Sequence, residues 1–246
     1  MISAVTFDVW ETMISDPAAL AETRSATRVR LMTEALEKAG FATPEAEVWL
    51  AYEGALAEYE RVWERNLDIS TAEQLEVIFR LLDPSLLSRL DVSALRDISA
   101  AYIEPVFHVA PMRKEGLNEV LQELKRQGRR LGLVCNTGRT PGWAVRQLLD
   151  SFGVLKYFDA MAFSNEERVR KPAAEIFQRV VNSLGVSPET IAHVGDNPVA
   201  DIAGAKGCGM RAILIGPSSG EVSVEPDARI ASLLELIPAL ARLNGT

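Results

Sequence analysis

Residues 2–12 read ISAVTFDVWET, a short β-branched and aromatic run that breaks at Asp8 into mixed polar sequence. A run of this length bounded by polar residues predicts a buried strand, with the acid at its carboxyl end. Similar runs recur at Leu131 to Cys135, Ala160 to Phe163, Ile191 to Val194 and Arg211 to Ile215. Helical spacing accompanies them: Leu117, Val120, Leu121 and Leu124 ending at Gly128; Val145, Leu148, Leu149 and Phe152; and Ile176, Phe177, Val180, Val181 and Leu184. Strand and helix therefore alternate, which predicts an α/β fold with a doubly wound parallel sheet. Ser187-Pro188-Glu189 reads as a helix start, with an N-cap hydroxyl, a preset φ and an acid at the positive end.

From about Leu20 to Ile103 the alternation stops. Val48, Tyr52, Ala55, Tyr59 and Val62 keep helical spacing after Thr43-Pro44, and Leu75, Ile78, Phe79 and Leu82 follow a Ser70-x-x-Glu73 capping box. The reading is an all-helical cap over residues 16–108, inserted into a core made of residues 1–15 and 109–246, with hinges near Ile14 to Ala18 and Pro105 to Pro111.

The 246 residues are 48% hydrophobic and 24% charged, an ordinary globular balance that excludes disordered, collagen-like and coiled-coil classes. A net charge of -8 gives no basic surface for nucleic acid or an anionic membrane. Two cysteines make no disulfide scaffold, no apolar run reaches about 18 residues, and the first residues have no basic lead into an apolar stretch. A soluble, cytoplasmic protein is expected. Oligomeric state stays open.

In an open parallel sheet the ligand crevice lies beyond the carboxyl ends of the strands. The residues falling there are Asp8 to Thr12, Cys135-Asn136-Thr137, Lys171-Pro172, and Gly195-Asp196-Asn197 with Asp201. Carboxylates converging in a low-dielectric crevice repel one another and need a cation, and an all-oxygen donor set suits Mg²⁺. Asp8 and Asp196 are the expected ligands. The free oxygen of Asp8 is then a nucleophile toward phosphorus or carbon, Lys171 balances charge and holds an anionic substrate, and Asp201 orients Lys171 or a metal-bound water.

These residues in this order resemble the haloacid dehalogenase superfamily, in its phosphatase-like branch with a helical cap after the first motif. The resemblance spans nearly the whole chain. It implies that Asp8 is the nucleophile, Thr12 its positioning hydroxyl, Lys171 the third-motif lysine and Asp196 with Asp201 the acidic fourth motif. It further implies that the Trp10 main-chain carbonyl joins the metal site, that Mg²⁺ is the cofactor, and that one of Cys135, Asn136 or Thr137 meets the phosphate of a small phosphorylated substrate.

Two departures stand out. Trp10 occupies the place where most phosphatases of the family carry a second aspartate serving as general acid and base. An indole cannot exchange a proton at neutral pH, and loss of such a group typically costs about 10²–10⁴-fold. Glu11 is next in sequence, but neighbours in an extended segment point to opposite sides. Cys135 stands where Ser or Thr is expected, and a thiol is a weak donor. His108 and His193 read as packed or rim residues, and Arg24, Arg28 and Arg30 with Trp49 and Trp63 as a solvated face and bundle core or, alternatively, an anion pocket. Three functions follow: a Mg²⁺-dependent phosphatase, possible slowness included; a metal-free 2-haloacid dehalogenase, which also has an aromatic residue at position 10 but lacks the acid at 196; and an impaired fold kept for binding.

Overall fold

A computed structural model describes residues 1–217 and 224–245. Six strands form one parallel sheet: β1 (Ala4–Phe7), β4 (Arg130–Cys135), β5 (Ala160–Phe163), β6 (Ile191–Gly195), β7 (Arg211–Ile215) and β8 (Ala228–Ile230). Between β1 and β4 come two-residue strands, β2 (Ile14–Ser15) and β3 (Met112–Arg113). The sheet order is β5-β4-β1-β6-β7-β8, so the first strand sits at the centre and the order reverses beside it. That reversal is where an open sheet leaves a crevice.

Successive residues of each strand serve opposite faces. Val5, Phe7, Leu131, Leu133, Ala192 and Val194 pack under helices 117–126, 142–151 and 236–244, whereas Ala4, Val134, Ile191, Ala212 and Leu214 pack against helix 174–184 and the turns at 198–207. Both faces are therefore covered, which is why these strands read as apolar runs. The edge strand β8 was not legible from its three residues. Ser187 makes no side-chain cap: Pro188–Thr190 is a single 3₁₀ turn leading directly into β6, too short to need the helix start that the sequence suggests.

The insertion is helical throughout: α1 (Ala18–Lys38), α2 (Glu45–Trp63), α3 (Thr71–Leu82), α4 (Leu86–Arg89), α5 (Val92–Ile103) and α6 (Pro105–His108). Val29, Met32, Tyr52, Tyr59, Ile78, Phe79 and Tyr102 fill its own core. The Ser70–Glu73 capping box opens α3, and Asp91 caps α5 by accepting from Ala94 N at 2.8 Å. The two chain crossings run side by side, since Ile14 pairs with Arg113 and Ser15 with Met112 in an antiparallel ladder. Helix α1 begins only at Ala18 and α6 ends at His108, so neither crossing is helical throughout.

The helical insertion lies closed over the carboxyl ends of the sheet. Asp68 N donates to the Arg168 carbonyl at 3.2 Å and Arg170 N to the Asn66 carbonyl at 3.0 Å, a short antiparallel ladder across the junction. Gln74 Nε2 reaches the Gly138 carbonyl at 2.9 Å, Glu73 pairs with Arg168, and Ser164 donates to the Asp68 carboxylate. No helix of the described residues is long and apolar enough to cross a membrane.

Candidate active site

The central strand delivers Asp8 just beyond its last pair, with its backbone N–H still held by the Val194 carbonyl at 2.9 Å. Asp8 is buried, and so is Lys171, whose Nζ lies 2.5 Å from Asp8 Oδ1 and 2.6 Å from Asp201 Oδ1. Lys171 is placed by Asn136. The Asn136 amide accepts from Lys171 N at 2.9 Å and donates to the Lys171 carbonyl at 3.1 Å, so both of its polar atoms are taken by main chain. Sequence reading left Asn136 as one of three phosphate contacts; in the closed molecule it is a clamp on the lysine.

Asp201 sits on a π-helical turn, Pro198–Ala203, which Asn197 opens by accepting from Val199 N at 3.0 Å and Ala200 N at 2.8 Å. Single π turns commonly occur at functional sites. Asp201 Oδ2 accepts from Asn197 N at 2.9 Å, while Oδ1 meets both Lys171 and His193 Nε2, the latter at 3.2 Å. Burial holds the His193 pKa down, so the ring is neutral; Nε2–H then donates to Asp201 and Nδ1 accepts from the Thr6 hydroxyl at 2.9 Å. His193 is therefore a support for Asp201, a role the sequence concealed because only the register of β1 and β6 sets Thr6 opposite His193. Gly195 gives Asp201 its room: a Cβ there would lie 2.2 Å from Asp201 Cγ.

Carboxylate oxygens of Asp8, Asp196 and Asp201 all fall within 4.8 Å of one another. Burial raises the Asp8 pKa to about 7, with Lys171 opposing and Asp201 adding to the rise. Burial and then Asp201 raise Asp196 to about 6. Asp201 moves the other way, below the usual carboxylate range, because Lys171 and the His193 hydrogen bond outweigh its burial. Lys171 rises despite burial, held charged by Asp201 and Asp8. Three carboxylates thus face one ammonium, a charge deficit that a divalent ion fits, and hard oxygen donors suit Mg²⁺. Thr12 is fully buried with its hydroxyl unpartnered, a group whose desolvation cost of about 1–3 kcal/mol a ligand atom would offset.

Thr137 N donates to Ser164 Oγ at 2.9 Å and its hydroxyl lies 3.2 Å from the same atom. Cys135 is fully buried, and its thiol pKa is pushed up by burial and by Asp8, which leaves an inert neutral side chain. Glu11 is turned away by a left-handed backbone, φ 56°, and accepts from Asp16 N at 2.6 Å; its main-chain carbonyl takes the Lys114 ammonium. It does not replace the missing aspartate. Trp10 lines a cavity of about 380 Å³ between the helical insertion and the sheet, together with Arg24, Arg28, Tyr52, Arg139 and Arg170. Arg30 is exposed and pairs with Glu34, and Lys38 pairs with Asp97 at the surface. The sequence offered no signal for Arg139 or Arg170, which are ordinary basic residues until folding brings the insertion over them.

A family model described as haloacid dehalogenase-like hydrolase matches residues 2–209. The glyceraldehyde 3-phosphate phosphatase of Methanopyrus kandleri is 32% identical over 219 residues, covering 87% of this chain and 84% of that one. Among solved structures, a 2-haloacid dehalogenase from Pseudomonas syringae pv. Tomato superposes with a TM-score of 0.74 at 24% identity, covering 99% of this chain and 100% of the other. A phosphatase from Thermococcus onnurineus gives 0.64 at 24% identity, with 97% of each chain covered. The structural likenesses concern the fold.

Proposed function

The chain belongs to the haloacid dehalogenase-like hydrolases, and from that premise we propose that it hydrolyses small phosphate monoesters with Mg²⁺, using Asp8 as the nucleophile. The observation that carries this reading is the meeting of Asp8, Lys171, Asp196 and Asp201 beyond the central strands, with three carboxylates around one ammonium. The likeness to a glyceraldehyde 3-phosphate phosphatase over 87% of this chain supports the same class. Asp8, Asp196 and the Trp10 carbonyl would hold the metal, with Asp201 beside it. Mg²⁺ would supply positive charge against the phosphoryl oxygens and keep Asp8 ionised.

The chain's own residues divide the remaining work. One Asp8 oxygen attacks phosphorus and the ester P–O bond breaks, leaving phosphoaspartate and releasing the leaving group as an oxyanion that takes its proton from solvent water; a second water then attacks that phosphorus, gives its proton to solvent or to the phosphate, and releases inorganic phosphate and the Asp8 carboxylate. Lys171, fixed by Asn136, neutralises oxygens of the transferring group. Among the described residues no side chain stands ready to protonate the leaving oxygen, because Trp10 occupies that place and Glu11 is engaged at Asp16. Substrates with acidic leaving groups are accordingly turned over best. Both cysteines are free, in keeping with a reducing, cytoplasmic setting.

The test is hydrolysis of p-nitrophenyl phosphate, whose leaving group needs little protonation. Turnover is expected with Mg²⁺ and lost with a chelator or in Asp8→Asn; turnover that survives either change overturns the reading. Trp10 favours a second reading, halide displacement from carbon by Asp8, and Asp196 opposes it. Chloride release from 2-chloropropionate without metal would establish that alternative. Inactivity in both assays, with a phosphorylated compound still bound, would mark a binding protein.

A further inference from the structure

The wall of the 380 Å³ cavity holds four arginines, and their partners separate them into two kinds. Arg24 is fully occupied: both Nη atoms lie 2.7 Å from the Asp16 carboxylate and Nε donates to the Val109 carbonyl at 2.9 Å. Arg170 lies over the Trp63 ring, 4.4 Å from its centroid, with Asp68 at 3.5 Å. Arg28 and Arg139 have no carboxylate within ion-pair distance among the described residues. Arg28 is buried and spends two donors on neutral oxygens, the Tyr102 carbonyl and the Tyr52 hydroxyl at 2.9 Å. Arg139 gives one donor to the Tyr52 carbonyl at 3.0 Å, lies 3.9 Å from the centre of the Tyr52 ring, and leaves a buried Nε with no partner.

Two guanidinium groups therefore flank one tyrosine in a cavity where Arg28 and the Arg139 Nε are buried and no anion among the described residues matches them. A buried unpaired charge costs several kcal/mol, whereas the guanidinium fork binds carboxylate or phosphate in two-pronged fashion. The cavity stands at the small end of ligand pockets, which run from about 300 to 1,000 Å³, so a compact molecule fits it better than a polymer. Trp10, two residues past Asp8, lines the cavity with Asn136, the clamp on Lys171, and Thr137, while Arg28 and Tyr52 come from the helical insertion.

We propose that the substrate is a compact phosphate monoester bearing a second anionic group, and that Arg28 and Arg139 bind that group. This rests on the phosphomonoester reading above and adds the charge of the far end. The anion could be a carboxylate or a second phosphate, and the two share the chemistry that the arginines recognise.

Calorimetric titration of the Asp8→Asn chain, which holds ligand without turnover, tests this directly. With Mg²⁺ present, 3-phosphoglycerate is expected to bind at least about tenfold tighter than glycerol 3-phosphate. Fructose 1,6-bisphosphate against fructose 6-phosphate forms the second arm, and whichever arm shows the preference identifies the anion. Arg139→Met, added to Asp8→Asn, should bring the preferred ratio to about one, and Arg28→Lys, which keeps a charge in the buried site but loses the two-pronged fork, should lower it. A ratio near one in both arms, no binding at 10 mM, or a ratio untouched by either arginine variant overturns the proposal. Wild-type turnover of p-nitrophenyl phosphate, which has no second anion, reports separately on the underlying reading: activity there without a charge preference discards the arginine assignment alone.

Discussion

Replacing Lys171 with Met takes away the ammonium that touches both Asp8 and Asp201 while keeping most of the side-chain volume. The three side chains are 2%, 8% and 1% exposed for Lys171, Asp8 and Asp201, so water cannot take over the lost contacts. Breaking a buried pair from one side costs about 3–5 kcal/mol. For a chain of this size each kcal/mol moves the melting temperature by about 2–4 °C, so a fall of about 6–20 °C is expected at pH 8 with chelator present. The sign of the pH dependence follows from Asp8, whose pKa is raised to about 7 by burial. A raised carboxylate stabilises the fold fully only below its unfolded value near 3.9, and that contribution is lost as pH climbs through about 7. Without Lys171, which opposes the rise at both groups, Asp8 and Asp196 hold their protons to still higher pH. At pH 5.5 they neutralise themselves, and the substitution should cost half as much or less. Differential scanning calorimetry at the two pH values measures both quantities. A fall under about 3 °C at pH 8, or equal falls at both values, would refute the reasoning.

Other substitutions probe different parts of the site. Gly195→Ala places a methyl 2.2 Å from Asp201 Cγ, and since overpacking costs about 1–3 kcal/mol, urea denaturation should show that loss together with reduced turnover. Gly54→Ala, within α2 and 3.6 Å from its nearest neighbour, should instead stabilise by about 0.5–1 kcal/mol in the same assay. Trp10→Asp supplies the missing acid and should raise kcat for glycerol 3-phosphate at least about tenfold relative to p-nitrophenyl phosphate; an unchanged ratio would remove Trp10 from the account of leaving-group preference. Mg²⁺ must displace protons from both Asp8 and Asp196, raised to about 7 and about 6, so its apparent affinity should weaken by roughly fiftyfold as pH falls from 6 to 5. Thermal-shift titrations with Mg²⁺ check this, and a pH-independent affinity contradicts it.

The parallel sheet was legible because its information is local. Runs such as Ile191 to Val194 and the spacing of Ile176, Phe177 and Val180 record burial within a few residues. The strand ends then located Asp8, Lys171, Asp196 and Asp201, since topology places such positions at one edge of any open sheet. Contacts between distant segments left no comparable mark. Asn136 resembles a phosphate donor until its partner, the main chain of Lys171, is seen 35 positions away. His193 looks like a strand filler until strand register sets it between Thr6 and Asp201. Ser187 satisfied the local pattern of a helix cap, yet the strand that follows immediately leaves no length for a helix. Arg28 and Arg139 belong to different halves of the molecule, and only closure makes them neighbours of one tyrosine.

The ladder that joins residues 66–68 to residues 168–170 ends one position before Lys171. Its two main-chain hydrogen bonds each contribute about 0.5–1.5 kcal/mol, and the Gln74–Gly138, Glu73–Arg168 and Ser164–Asp68 contacts fasten the same junction. The fastened segment runs directly into the lysine that Asn136 grips, so any displacement of the helical lobe would act on the same stretch of chain that seats the ammonium. The contact between the two lobes and the seating of the ammonium beside Asp8 thus share one short stretch of chain.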